Sequence, residues 1–509
     1  MKKLILILAA LCLLTPVRAD EFDLRGMHID MRAQVMTMPA LYKLADRSAE
    51  LGMNALLMEW EGSFPFKENA TIRNRYAYTE KEVTDFISYC ASKGIEVIPL
   101  QNCFGHMEYI LQHQRYAKIR ENNSNAFLFS QVCPTVADIP EEVFESIFRD
   151  VARLHPSKYF HIGCDETRLL GACRGCKAEM EKIGPSALFC QYVSRMCKIV
   201  SDMGKIPVIW GDIVLKYPEA VEMLPKDLII MDWNYGWKVD HFGKLENMEE
   251  AGLELWGATS LRSNPDHIYT TDWMKHFNNL TTYVPFMREK GAKVMFNTSW
   301  STSGVYGFTL DNSDNRDVIE IQPLRQCYPL SAYDILIAAF AKATGSDEVF
   351  DPKSFIYEYC ADRYGFDEQE CAVMYDYFSL AQPMPYFWNQ KPEEVIPASL
   401  EETLALRERF AGLKARSHRD EFAHFGLMLD FRINWLKWRI AEMKYESPEG
   451  TQENLGAIHS EIKPVLREAY KLRRRYVRMN KDYLKDPMAS SVGEQGYIHK
   501  MEKVYGLTR

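Results

Sequence analysis

From residue 24 onward, short apolar runs rich in β-branched and aromatic residues alternate with longer stretches whose apolar positions recur at helical spacing. That alternation predicts parallel strands joined by crossover helices. The strand candidates are 24–31, 55–60, 96–101, 159–163, 207–210, 228–233, 253–258 and 293–300, and helical patterns occupy 39–51, 79–93, 140–154, 187–203, 272–290 and 330–343. Eight strand candidates in series, most of them followed by a helical stretch, predict a (β/α)8 TIM barrel over residues 20–345. Beyond Thr344-Gly345 the strand signal stops, and 346–509 reads as a helical C-terminal region. Its basic run 471–478 reads as a solvated helix face. Barrel enzymes carry their chemistry on the C-terminal ends of the strands and the loops that follow, so the search for function belongs there.

The first nineteen residues follow a different pattern. Lys2 and Lys3 precede an apolar run from Leu4 to Leu14, and Val17-Arg18-Ala19 stands before Asp20. This is the layout of a secretory signal peptide, so the expected location is secreted or periplasmic. The run is short for a bilayer core of ~30 Å, and no later stretch approaches ~20 uninterrupted apolar residues, so no membrane span is expected. Strand one follows the leader directly, leaving no expected domain ahead of the barrel. A chain that is 47% hydrophobic and 26% charged can bury a full core, which excludes a disordered polypeptide. The 61 basic against 70 acidic side chains leave a net charge of -9, which opposes phosphate-backbone binding and excludes nucleic acid as the expected partner.

The pair Asp165-Glu166 closes the run Phe160-His161-Ile162-Gly163-Cys164, at the end of strand four. Two like charges this close push their pKa values apart, which suits one group to donate a proton while the other stays ionised. Side chains of neighbouring residues leave an extended strand on opposite sides, so the two are poorly placed to act as separate acid and nucleophile across one glycosidic bond. Cys173 and Cys176 form a C-x-x-C pair, but a four-thiolate zinc site needs a second pair at similar spacing. The expectation is a local disulfide or two surface thiols, with no metal and no cofactor.

His161-Ile162-Gly163-Cys164-Asp165-Glu166 resembles the His-x-Gly-x-Asp-Glu signature of glycoside hydrolase family 20, the β-N-acetylhexosaminidases. Arg25-Gly26-Met27-His28-Ile29-Asp30, Phe104-Gly105-His106-Met107-Glu108 and Val208-Ile209-Trp210 agree in order. The cysteine before the acidic pair and Glu59-Trp60-Glu61 resemble the hexosaminidase D branch. The resemblance implies an exo-acting, retaining enzyme that releases terminal GalNAc or GlcNAc, with the sugar's own acetamide oxygen attacking the anomeric carbon to form an oxazolinium. It implies Glu166 as general acid and base, Asp165 as the group that orients the acetamide, and Tyr235 as donor to the acetamide oxygen. It also implies Arg25 as a sugar-hydroxyl contact and His106 and His161 as hydrogen-bond supports of the carboxylates; Trp210, Trp233, Trp256 and Trp300, at the expected ends of strands five to eight, are placed to wall the sugar pocket. Glu59 and Glu61 either accept sugar hydroxyls or face water. After Trp300 the sequence lacks the acidic residue often found two positions on, a place Glu320 is available to fill. Two other readings compete: a catalytically silent glycan-binding barrel, and a metal-assisted hydrolase built on His28, Asp30, His106, His161 and Asp165.

Overall fold

The computed structural model describes residues 22–122, 130–136, 139–263, 266–303, 325–383, 391–448, 450–487 and 492–509. The expected signal peptide at 1–19 and Glu320 lie outside them. Eight parallel strands close into a barrel in chain order: β1 Leu24–Asp30, β2 Ala55–Glu59, β3 Glu96–Leu100, β4 Tyr159–His161, β5 Ile206–Trp210, β6 Ile229–Trp233, β7 Glu254–Arg262 and β8 Val294–Ser299. Each coincides with one of the expected strands. Within each, alternate residues turn inward, so that Ala55 and Leu57 of β2, Ile98 and Leu100 of β3, and Val208 and Trp210 of β5 fill the barrel. Their neighbours Leu56, Met58, Val97 and Ile209 face outward into the core shared with the helices. This is how a closed sheet buries both faces.

Local chemistry sets the surrounding helices. Thr79 caps Glu80–Ser92 through a reciprocal box with Glu82, and Thr37 caps Met38–Glu50, which opens with a proline in its first turn; both satisfy backbone N–H groups that a helix start leaves bare. β7 is longer than expected and runs on to Arg262. Its last residues read as loop in the sequence because they are polar, yet Thr259, Ser260 and Arg262 are all buried and bond internally, Ser260 to Ser263 and Arg262 to the Ser299 carbonyl.

Beyond the helix Asp334–Gly345, the described residues fold as helices, including Arg419–Glu446 and Leu455–Asn480. These pack on the barrel through one continuous apolar cluster. Thr37 N–H donates to the Tyr483 carbonyl and Lys485 N–H to that of Val35, tying the C-terminal segment to the loop after β1. Of the basic run, Lys471, Arg474 and Arg478 face water and Arg475 pairs with Asp430 at 2.7 Å. No helix among the described residues is long and apolar enough to cross a membrane.

Candidate active site

A cavity of about 650 Å³ opens at the C-terminal face of the barrel, lined by His106, Asp165, Glu166, Trp210, Trp233, Tyr235 and Trp300 among others. Adjacent carboxylates reach one pocket because the chain leaving β4 is not extended. Gly163, Cys164 and Glu166 have φ of 73°, 74° and 47°, and these left-handed turns cancel the strand's alternation. Glu61 (45°) and His106 (55°) share this conformation near the site. For the four non-glycine residues such backbone costs of order 1–3 kcal/mol each and persists where function and packing enforce it. The loop after β3 lies directly on the acidic pair: a β-carbon on Gly105 would stand 2.3 Å from the Asp165 carbonyl oxygen, so only glycine fits.

His106 bridges the pair, with Nε2 3.2 Å from Asp165 Oδ2 and 3.4 Å from Glu166 Oε2. Burial works against its charge, but the two carboxylates prevail and raise its pKa well above the ordinary value, so it is an imidazolium. Burial would likewise raise Glu166; the hydrogen bond and charge of His106, then Arg168 at 2.5 Å, overcome it and hold the carboxyl at about 2. Asp165 Oδ1 is buried and has no hydrogen-bond partner among the described residues. Asp212, just past β5, accepts the Glu166 N–H at 3.2 Å. Burial, and then the charge of Asp165, pushes Asp212 up to about 7.

The aromatic wall is formed by Trp210, Trp233, Tyr235 and Trp300, extended by Trp237 and Phe242. Tyr235 accepts the Trp300 indole N–H at 2.8 Å and its ring lies 4.8 Å from that of Trp233. The buried indole N–H of Trp233 has no partner among the described residues.

Four expectations need correction. Arg25 stands near the N-terminal end of β1, at the opposite end of the barrel from the cavity, where its Nε donates to the Gly52 carbonyl. Trp256, near the start of β7, pairs in register with Val294 at the start of β8 and packs against Tyr159 and Phe296 on the barrel floor. His161 holds neither carboxylate: its Nδ1 accepts the Gly163 N–H at 3.0 Å and its ring supports Trp210 from within. Nor do Glu59 and Glu61 face water. Glu59 binds His28 and Asn102, and burial followed by Glu59's charge raises the Glu61 pKa well above the carboxylate range.

Besides Arg168, the pocket is lined by Arg32. Asp30 accepts from its Nε at 3.1 Å and from its backbone N–H at 2.7 Å, while the guanidinium lies 5.0 Å over the Trp300 ring. Arg32 follows the end of β1, so the strand-end rule that marked Asp165 and Glu166 marks it too. Asp212 was available by the same rule after β5. The residues proposed for metal-assisted hydrolysis are partnered differently: Asp30 with Arg32 and Ser301, His28 with Glu59. Among the described residues they form no metal-holding group.

A parallel barrel that presents paired carboxylates, an imidazolium and a tryptophan wall at its C-terminal face has the architecture of a sugar-cleaving enzyme. The sequence model of the glycosyl hydrolase family 20 catalytic domain matches residues 27–286, and the chain belongs to that family, a glycoside hydrolase of the β-N-acetylhexosaminidase class. It is 27% identical over 258 residues to Hexosaminidase D of Bos taurus, covering 47% of this chain and 72% of that protein. It is 29% identical over 292 residues to Hexosaminidase D of Homo sapiens, covering 54% of this chain and 58% of that one. A solved β-N-acetylhexosaminidase from Bacteroides fragilis overlaps 67% of this chain and 69% of its own, at 20% identity and a TM-score of 0.49.

Proposed function

We propose that this protein is an exported, exo-acting β-N-acetylhexosaminidase that releases terminal GalNAc or GlcNAc with retention, the substrate's acetamide serving as nucleophile. One observation carries the reading: Asp165 lines the cavity with Oδ1 buried and unpartnered. A buried carboxylate oxygen without a donor is costly, and an acetamide N–H satisfies it while turning the acetamide oxygen toward the anomeric carbon. A conventional nucleophile would have to be ionised, and the third carboxyl of the pocket, Asp212, is held neutral up to about 7.

In this reading Asp165 orients the acetamide and balances the charge that grows on it, and Tyr235 donates to its oxygen. Glu166 protonates the leaving oxygen and then activates water. To become an acid, Glu166 gives up Arg168, whose side chain is 76% exposed; such pairs contribute about 0–1 kcal/mol, so an arriving aglycone displaces it. Seating the sugar also buries Glu166 further, and burial raises its carboxyl toward the protonated form. Trp210, Trp233 and Trp300 stack on the sugar and its acetamide methyl, and Arg32 binds ring hydroxyls. Product analysis of an aryl β-N-acetylhexosaminide tests the reading: β-anomer released first supports retention, and α-anomer refutes it.

A further inference from the structure

The C-x-x-C pair is not alone in space. Cys133, from the loop after β3, brings its sulfur to 3.6 Å from that of Cys173 and 3.5 Å from that of Cys176. Glu121 Oε2 stands 3.0 Å from the Cys176 sulfur, and all four ligand atoms lie within 4.8 Å of one another. Around a tetrahedral zinc with Zn–S of about 2.3 Å and Zn–O of about 2.0–2.2 Å, neighbouring sulfurs stand about 3.8 Å apart and a sulfur and an oxygen about 3.5 Å apart. The observed spacings differ from these by tenths of an ångström. They are far from the ~2.05 Å of a disulfide, and any one disulfide among the three would leave an odd thiol facing the Glu121 carboxylate.

We propose that Glu121, Cys133, Cys173 and Cys176 hold one structural zinc ion. The surroundings are built to hold these ligands in place. Glu121 Oε1 accepts the Cys173 N–H at 2.8 Å, which aims the other oxygen at the cluster. The Cys176 N–H points to the Cys173 sulfur at 3.2 Å, and the Thr135 hydroxyl lies 3.3 Å from both the Cys133 and Cys176 sulfurs, the kind of outer hydrogen bond that fixes a metal ligand. Cys173 caps the helix Arg174–Ile183, whose N-terminal dipole favours thiolates. A β-carbon on Gly175 would stand 2.9 Å from the Thr135 hydroxyl oxygen, so a larger residue there would push that hydroxyl off the sulfurs.

The ion's place explains its use. Cys173 lies seven residues after Glu166, and Cys133 belongs to the same loop as His106. The two loops also meet where Gln131 accepts the Leu169 N–H at 2.8 Å. Zinc thereby staples together the two segments that carry the acidic pair and the imidazolium bridging it, at a distance from the reacting sugar and with no part in the chemistry.

The full chain, purified without chelator, is analysed for metal by mass spectrometry and for disulfides by non-reducing peptide mapping. One zinc per chain, with no disulfide among Cys133, Cys173 and Cys176, is expected. Cobalt substituted for zinc should give thiolate charge-transfer and tetrahedral d–d absorption. Thr135→Val should retain the site but weaken zinc by about 10- to 100-fold in competition with a chromophoric chelator, as loss of an outer-shell partner does. Removing the metal should raise hydrogen exchange in 130–136 and 167–176. A metal-free wild-type chain carrying a disulfide within the trio overturns the proposal, as does zinc bound equally well by Cys133→Ser/Cys176→Ser.

Discussion

Replacing Asp212 with Asn should change stability in a way that depends on pH. In the folded protein burial and Asp165 raise this carboxyl from 3.8 to about 7. Between those values the folded state holds a proton that the unfolded state has lost, so stability falls as pH rises through the window and levels off above about 7. At 1.36 kcal/mol per pH unit of separation, the total penalty is about 4 kcal/mol. Asparagine never ionises, so Asp212→Asn escapes it. The variant's amide can still accept the Glu166 N–H, but its NH2 meets the position where Asp212 Oδ1 finds no partner, an unsatisfied group costing about 1–3 kcal/mol at every pH. The diagnostic is therefore the trend. In denaturant titrations, Asp212→Asn minus wild type should become more favourable by about 4 kcal/mol between pH 4 and pH 8. A pH-independent difference, or one running the other way, would refute the buried, neutral carboxyl and the exclusion of Asp212 as nucleophile that rests on it.

Glu166→Gln should slow substrates with poor leaving groups most, since general acid catalysis is worth about 10²- to 10⁴-fold; equal losses across leaving groups would count against the assignment. Tyr235→Phe should weaken an oxazoline mimic such as a thiazoline by about 0.5–1.5 kcal/mol, the value of one neutral hydrogen bond, read from inhibition constants. Arg32→Ala should raise KM markedly while Arg25→Ala leaves it near wild type; the reverse would restore the strand-start arginine as the sugar contact. N-terminal sequencing of the exported protein should find a mature chain beginning near Asp20, and an unprocessed cytoplasmic chain would remove export from the account.

The barrel was legible because a parallel sheet covered by helices writes two distinct periods into the chain, and all eight strands fall where those periods place them. The acidic pair was legible too, but not the means by which neighbours share a pocket, which depends on left-handed backbone at Cys164 and Glu166. Arg25 and Trp256 have the chemistry of sugar contacts, but both lie toward the barrel floor, and side-chain type does not encode height on a strand. For Trp256 that height depended on the end of β7, hidden because buried Ser260 and Arg262 look like loop residues until their internal partners are known. The grouping of Glu121 and Cys133 with Cys173 and Cys176 is purely tertiary, spanning loops that no spacing rule joins.

The central claim is that the substrate's acetamide is the nucleophile. The most direct measurement compares kcat/KM for aryl β-GalNAc and β-GlcNAc with the matching aryl β-galactoside and β-glucoside on the same enzyme, with a thiazoline as inhibitor. The account predicts turnover of the acetamido sugars, little or none of the plain glycosides, and thiazoline binding much tighter than substrate, as a mimic of the intermediate should show. Comparable cleavage of the plain glycosides together with indifference to thiazoline would contradict it.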